Sequence, residues 1–127
     1  PPPLPERAPD IVHAIATRPE AALIYRLSGD FNPVHADPKI AAKAGFARPI
    51  LHGLCTFGII GRALVATACG GDPARLRGLG GRFSAPIYPG ETIETQIWRE
   101  AEGALRFQAR CVERDVVVFK NGTSWLS

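Results

Sequence analysis

From Gly53 to Ala68 the chain is apolar on every face of the helix it would form, with Leu54, Phe57, Leu64, Val65 and Ala68 at helical spacing. A helix with no polar side has to be covered all round, so the spacing predicts a fully buried central helix. Gly58 and Gly61 on it would let a neighbouring layer approach closely. No apolar run reaches the roughly 20 residues that a bilayer span needs. The cover must therefore come from protein, and strand-like segments supply it. Leu76 to Ser84, Thr92 to Trp98, Leu105 to Val112 and Val116 to Phe119, the last with an extension toward Trp125, carry that character. Leu105, Phe107, Ala109 and Cys111 alternate with Arg106, Gln108 and Arg110, the period of a sheet buried on one face. Ala101-Glu102-Gly103 and Arg114-Asp115 read as hairpin turns, and Pro86 to Gly90 separates the first two strands.

Ahead of the central helix, Val12 to Thr17 reads as a first strand and Glu20 to Leu27 as a helix stopped at Gly29. Asp37-Pro38 supplies an N-cap and a first-turn proline for a short helix over Lys39 to Ala44, ended by Gly45. The expectation is an α+β chain with an antiparallel sheet of about five strands wrapped around a long central helix, the layout of a hot-dog fold. Periodicity alone also admits other α+β arrangements.

At 127 residues, 46% of them hydrophobic, the chain suffices for one core and not for two. Residues 1–10 hold five prolines and read as a linker or covering arm, with one domain over 11–127. A linker at the very start points to an upstream half. The net charge of +3 comes from scattered arginines, of which Arg75, Arg77 and Arg82 are the nearest to a cluster. That balance fits a small anionic ligand better than nucleic acid. Cys55, Cys69 and Cys111 cannot all pair and read as packed thiols of a reducing compartment. With no charged-then-apolar leader at the start, a soluble protein without a membrane span is expected.

The loop between the two short helices holds Asp30, Asn32 and His35 within six residues, stiffened by Pro33. Three groups able to take, give or orient a proton are thus close in sequence. Asp and Asn ahead of Pro are also ordinary turn residues. Gly53 by itself reads as a helix-start glycine, His52 as a hydrogen-bonded loop residue and Phe83 as core. His13, His35, His52 and Cys55 show no paired ligand spacing, so no metal site is expected.

Tyr25-Arg26-Leu27-Ser28-Gly29-Asp30-Phe31-Asn32-Pro33-Val34-His35, followed by Asp37-Pro38, closely resembles the signature of hydratase 2, the (R)-specific enoyl-CoA hydratases of the MaoC-like group. Pro49-Ile50-Leu51-His52-Gly53-Leu54 and the segment from Arg82 to Thr92 resemble two further stretches of that family in the expected order. The likeness runs from about Ala21 onward and is nearest to the second half of two-hot-dog hydratases, such as the hydratase part of peroxisomal multifunctional enzyme type 2. The resemblance implies Asp30 and His35 as the acid and base, Asn32 as the residue that orients them and the Gly53 N–H as oxyanion donor. It also implies substrate contacts at Phe31, Pro33, Val34, His52, Arg82 and Phe83. The reaction implied is hydration of a trans-2-enoyl-CoA to an (R)-3-hydroxyacyl-CoA, with no cofactor beyond the coenzyme A of the substrate. A second hot-dog unit, from a homodimer or from an upstream half, is the implied partner. The implied compartment is the cytoplasm in a bacterium or the peroxisome in a eukaryote.

Rival readings on the same fold differ in what they need. A thioesterase would need an acidic residue near the central helix, and no Asp or Glu lies between Asp37 and Asp72. A (3R)-hydroxyacyl dehydratase of fatty-acid synthesis would use the same Asp and His in reverse. A non-catalytic hot-dog half would not need Asp30, Asn32 and His35 intact.

Overall fold

The computed structural model describes residues 3–127. Its elements are β1 (Ile11–Ala16), α1 (Ala21–Tyr25), α2 (Pro38–Lys43), α3 (Gly53–Ala66), β2 (Leu76–Phe83), β3 (Thr92–Arg99), β4 (Ala104–Cys111) and β5 (Val116–Leu126). All five strands pair antiparallel in the order β1-β3-β4-β5-β2, which leaves β1 and β2 as the two edges. This is the five-stranded sheet with a central helix that the periodicity predicts, each strand within a residue or two of its expected start. β5 runs the full length of the predicted extension and passes through register shifts against both its neighbours.

The alternation that makes the strands also makes the core. Ile93 and Ile97 of β3, Phe107 and Ala109 of β4, and Val118 and Phe119 of β5 are sealed together with Ile60 and Leu64 of α3. Phe107 and Phe119 stack with centroids 5.8 Å apart. Each large apolar side chain buried in this way contributes about 1.5–3 kcal/mol, so this layer fixes where α3 lies. On the opposite face of the sheet Arg110 pairs with Glu94 at 2.9 Å, and Gln108 donates to Gln96 at 2.8 Å.

The expectation of a helix buried on every face needs correction. Gly53, Leu54, Gly58, Arg62 and Ala66 are exposed, and Leu54 retains 68% of its surface. From Leu54 onward these positions recur every fourth residue, which is one stripe along a helix. A five-stranded sheet curls over one side of α3 only, and the opposite side is open in this chain.

Ahead of β1, Arg7 and Asp10 are bonded to the end of β3; Pro1 and Pro2 lie outside the described residues. Trp98 Nε1 donates to the Arg7 carbonyl at 2.8 Å, Arg7 donates to the Arg99 carbonyl at 2.8 Å, and the Arg99 N–H donates to Asp10 Oδ2 at 2.6 Å. The Asp10 N–H also donates to the Ile97 carbonyl at 2.8 Å, so the proline-rich stretch, poor in backbone donors, is bonded to β3 mainly through Arg7 and Asp10.

The turn from Pro86 to Glu91 is fastened by an ion pair between the buried Glu91 and the partly exposed Arg114. Arg114 reaches Glu91 at 2.6 Å and the Pro86 carbonyl at 2.6 Å, while the Tyr88 N–H donates to Glu91 Oε1 at 2.7 Å. Burial pushes the Glu91 carboxyl up, but the hydrogen bonds from Arg114 and from Tyr88 outweigh it and hold the group below its ordinary value. A depressed carboxylate contributes stability that is present above its unfolded pKa and lost as pH falls through the folded one. Glu91→Gln is therefore expected to cost about 2 kcal/mol at pH 7, and the gap from wild type should narrow below roughly pH 4. Urea unfolding midpoints of both proteins at the two pH values check this.

Candidate active site

The chain reaches the loop through α1 and a 3-10 turn over Arg26–Ser28, which ends at Gly29 with φ at 115°. That conformation belongs to glycine, and it turns the chain out of the helix just ahead of Asp30. Two short-range bonds then shape the loop itself. Asp30 Oδ1 accepts the Asn32 N–H at 3.2 Å, and Asn32 Oδ1 accepts the Val34 N–H at 3.1 Å. Asn32 is thereby the N-cap of a single 3-10 turn, Pro33–His35, whose first residue is proline. Asp37 caps α2 in the same way, through the Lys39 N–H at 2.9 Å. His35 is thus carried between two capped turns.

The two titratable side chains sit in unlike surroundings. The His35 side chain is 10% exposed and that of Asp30 55%, with His35 Nε2 and Asp30 Oδ2 4.0 Å apart. His35 Nδ1 lies 2.8 Å from the Ile50 carbonyl. A carbonyl only accepts, so Nδ1 carries an N–H, and the neutral form of the ring turns its Nε2 lone pair to the carboxylate. His52, 1% exposed, stacks on His35 with ring centroids 3.7 Å apart, and its Nε2–H donates to the Asp30 carbonyl at 3.1 Å.

Gly53 opens α3 immediately after His52. The first intrahelical donors are Cys55 and Thr56, both bonded to the His52 carbonyl, so the Gly53 N–H is one of the amides at the helix start without an intrahelical acceptor. Helix geometry makes this end partly positive. A Cβ at Gly53 would stand 3.3 Å from Cζ of Phe83. Glycine thus keeps the amide approachable where a side chain would crowd the phenyl ring.

An open, largely apolar cleft of about 310 Å³ starts at this glycine and is lined by Phe46, Ile50, Leu51, Thr56, Phe83 and Ile87 among others. Asp30 and His35 are not in its wall; Gly53 lines it, next in the chain to His52, which stacks on His35. Of the sequence candidates, Asp30, Asn32, His35, His52, Gly53 and Phe83 come together here. Phe31 is exposed beside the loop, with the Arg26 guanidinium 5.2 Å from its ring, and Pro33 and Val34 form the capped turn. Arg82 is exposed on edge strand β2 and does not line the cleft; Arg75 and Arg77 are exposed as well. Sequence reasoning misses Phe46, Ile50 and Leu51, because apolar residues between two helices carry no signal that separates a cleft wall from core, and Thr56, because it lies inside the helix read as wholly buried. The stacking of His52 on His35 was equally invisible, since the two residues are 17 positions apart in the chain.

Asp30, His35 and His52 offer ligand atoms within 4.8 Å of one another, close enough to be weighed as a metal site. Nearly parallel rings 3.7 Å apart are ill suited to it, because an ion in the plane of one imidazole lies far out of the plane of the other. The three cysteines are free thiols, each pushed up by burial. Among the described residues, no helix is long and apolar enough to cross a membrane.

A sheet of this order laid on one helix, with an Asp and a His beside that helix's N-terminus, defines a hot-dog protein with acid-base potential. The model of the MaoC like domain matches residues 2–121, and the chain belongs to that family. It is 50% identical over 115 residues to 3-hydroxyacyl-thioester dehydratase Y of Mycobacterium tuberculosis, covering 90% of this chain and 40% of the relative. It is 45% identical over 115 residues to the peroxisomal enoyl-CoA hydratase 2 of Arabidopsis thaliana, covering 91% of this chain and 37% of the relative. The solved structure of full-length peroxisomal multifunctional enzyme type 2 from Drosophila melanogaster superposes with a TM-score of 0.93 at 39% identity, covering 98% of this chain and 23% of that one. The chain therefore spans less than half the length of each.

Loss of the Asn32 cap is expected to cost about 1 kcal/mol locally and to free the turn that carries His35. Asn32→Ala should speed hydrogen exchange at the Val34 amide severalfold while leaving the amides of β3 and β4 protected.

Proposed function

We propose that this chain is the catalytic hot-dog domain, residues 11–127, of an (R)-specific enoyl-CoA hydratase, adding water across a trans-2-enoyl-CoA to give an (R)-3-hydroxyacyl-CoA. The observation that carries the proposal is the 4.0 Å approach of Asp30 Oδ2 to a His35 Nε2 whose proton is held on the other ring nitrogen. Two acceptors at that spacing suit one water. An oxygen about 2.8 Å from each would see them at about 90°, close to its own bond angle, and could donate to both. With the double bond over this water, the hydroxyl bonds to C3, the C2=C3 electron pair moves onto the thioester oxygen, and the proton released is taken by the pair. The pair then returns a proton to C2 from the same side, so addition is syn. The transient oxyanion needs a donor, and the Gly53 N–H at the positive end of α3 is suited to it. Acid, base and oxyanion donor are all groups of this chain, so the chemistry calls for no cofactor beyond the coenzyme A of the substrate.

The cleft wall of Phe83 and its neighbours suits the uncharged part of the thioester. Phe31, Pro33 and Val34 bound the approach to the pair, His52 backs the His35 ring from a buried position, and the exposed Arg82, next to Phe83 in the chain, suits a CoA phosphate. The name of the Mycobacterium tuberculosis relative favours a second reading of the same site, dehydration of a 3-hydroxyacyl thioester, which is this reaction run backwards. The name of the Arabidopsis relative favours hydration, and a peroxisomal location in a eukaryotic host; in a bacterium the cytoplasm is the compartment proposed.

The open stripe of α3, Leu27 at 74% exposed, Phe31 at 57% and the unpaired edge β2 support a second hot-dog unit as partner, from another copy or from an upstream half. The chain by itself is expected to run as a dimer in light scattering, and a fully active monomer would count against the pairing.

Incubated with crotonyl-CoA, the complete protein should consume the enoyl absorbance and yield the (R) product; an (S) product overturns the reading. Asp30→Asn and His35→Gln should each lower kcat by about 10²–10⁴-fold with the fold intact. A chain-length series of enoyl-CoA against enoyl-acyl-carrier-protein separates the hydratase from the dehydratase of fatty-acid synthesis.

A further inference from the structure

His52 is 1% exposed, stands at the N-cap position of α3 and makes no side-chain capping bond there. Its Nε2–H goes to the Asp30 carbonyl, which leaves the Nδ1 lone pair buried with no partner among the described residues. An unpaired buried nitrogen is unfavourable, and an apolar ring in the same space would avoid it. The two contacts that need this particular side chain both run to the proposed catalytic pair. One is the hydrogen bond to the main chain of Asp30. The other is the stack on His35, 3.7 Å between centroids and 22° between planes, with Tyr25 packed against His52 at 4.7 Å.

We propose that His52 is a positioning residue, a wedge that sets the distance and attitude of Asp30 and His35. The inference rests on the hydratase reading of that pair. The Ile50 carbonyl on His35 Nδ1 stops the imidazole from rotating in its own plane. It does not stop the ring from tilting about that bond. The face of His52 does, and because Ile50 and His52 belong to one short segment, both constraints move together. Asp30 lies on an exposed loop, where, among the described residues, its side chain accepts only the Asn32 N–H at 3.2 Å. The bond from His52 to its carbonyl ties that loop to the start of α3, and hence to Gly53. One side chain therefore registers the acid, the base and the oxyanion donor against each other. Displacements well under an ångström matter at such a site.

The test separates the two contacts in the complete protein. His52→Leu removes both, His52→Phe keeps a stacked ring, and His52→Gln keeps a donor for the Asp30 carbonyl. The Leu variant is expected to lose about tenfold or more in kcat with KM changed less than about twofold, and the Phe and Gln variants each to recover part of the loss. Nitrogen-15 spectra of the His35 imidazole should show one tautomer, protonated at Nδ1, in wild type and an averaged signal in the Leu variant. A folded Leu variant with wild-type kcat and unchanged His35 resonances overturns the proposal. If the Leu variant does not fold, wild-type kcat and resonances in both the Phe and Gln variants overturn it. Wild type folded but inactive on enoyl thioesters sinks the hydratase reading instead, and the His35 spectra then decide the role of His52 alone.

Discussion

Ile60 and Leu64 project from α3 into a layer made by Ile93 and Ile97 of β3, Phe107 and Ala109 of β4, and Val118 and Phe119 of β5, all at most 1% exposed. At about 1.5–3 kcal/mol for each large side chain, this contact outweighs any polar interaction in the molecule. It fixes the axis of α3, and through the axis the position of the helix start. Gly53 and His52 occupy that start, so the geometry of the site is inherited from a core some turns away. A helix whose register on the sheet slipped by one residue would carry the Gly53 amide out of line with the cleft.

The loop bearing Asp30 and His35 is held by smaller forces. The Asx bonds at Asp30 and Asn32, the Ile50 carbonyl on His35 and the His52 bond to Asp30 are each worth about 1 kcal/mol net. None would hold the loop alone. They succeed because Ile50 and His52 are fixed to the core on one side, through the Leu51 N–H bond to the Ile87 carbonyl at 2.8 Å. The Pro86–Glu91 turn that offers this carbonyl is itself fastened by Arg114, so an ion pair at the far end of β4 contributes to the wall of the cleft.

The open stripe on α3 shows the other consequence of a one-sided sheet. Leu54, Gly58 and Arg62 read in sequence as parts of a helix sealed all round, and the sheet of this chain leaves them uncovered. Apolar periodicity reports that a surface must be removed from water; it does not report which chain removes it. The chain spans less than half the length of its relatives.

Strand alternation around Phe107, the cap at Asp37, the turn chemistry of Asn32 ahead of Pro33 and the glycine stop at Gly29 were legible in the amino-acid sequence, because each depends on neighbours within a few residues. So was the presence of two proton-handling groups on one stiff loop. Which ring nitrogen of His35 holds its proton depends on a carbonyl 15 residues away, and the stack of His52 depends on the start of a different helix. The approach of Gly53 to Phe83 joins α3 to an edge strand across the whole fold. The sequence by itself determined the elements, their order and the identity of the chemical groups, since propensity and hydrogen bonding act locally. Only the tertiary structure decided their distances and orientations, since those are set by packing between segments remote in the chain.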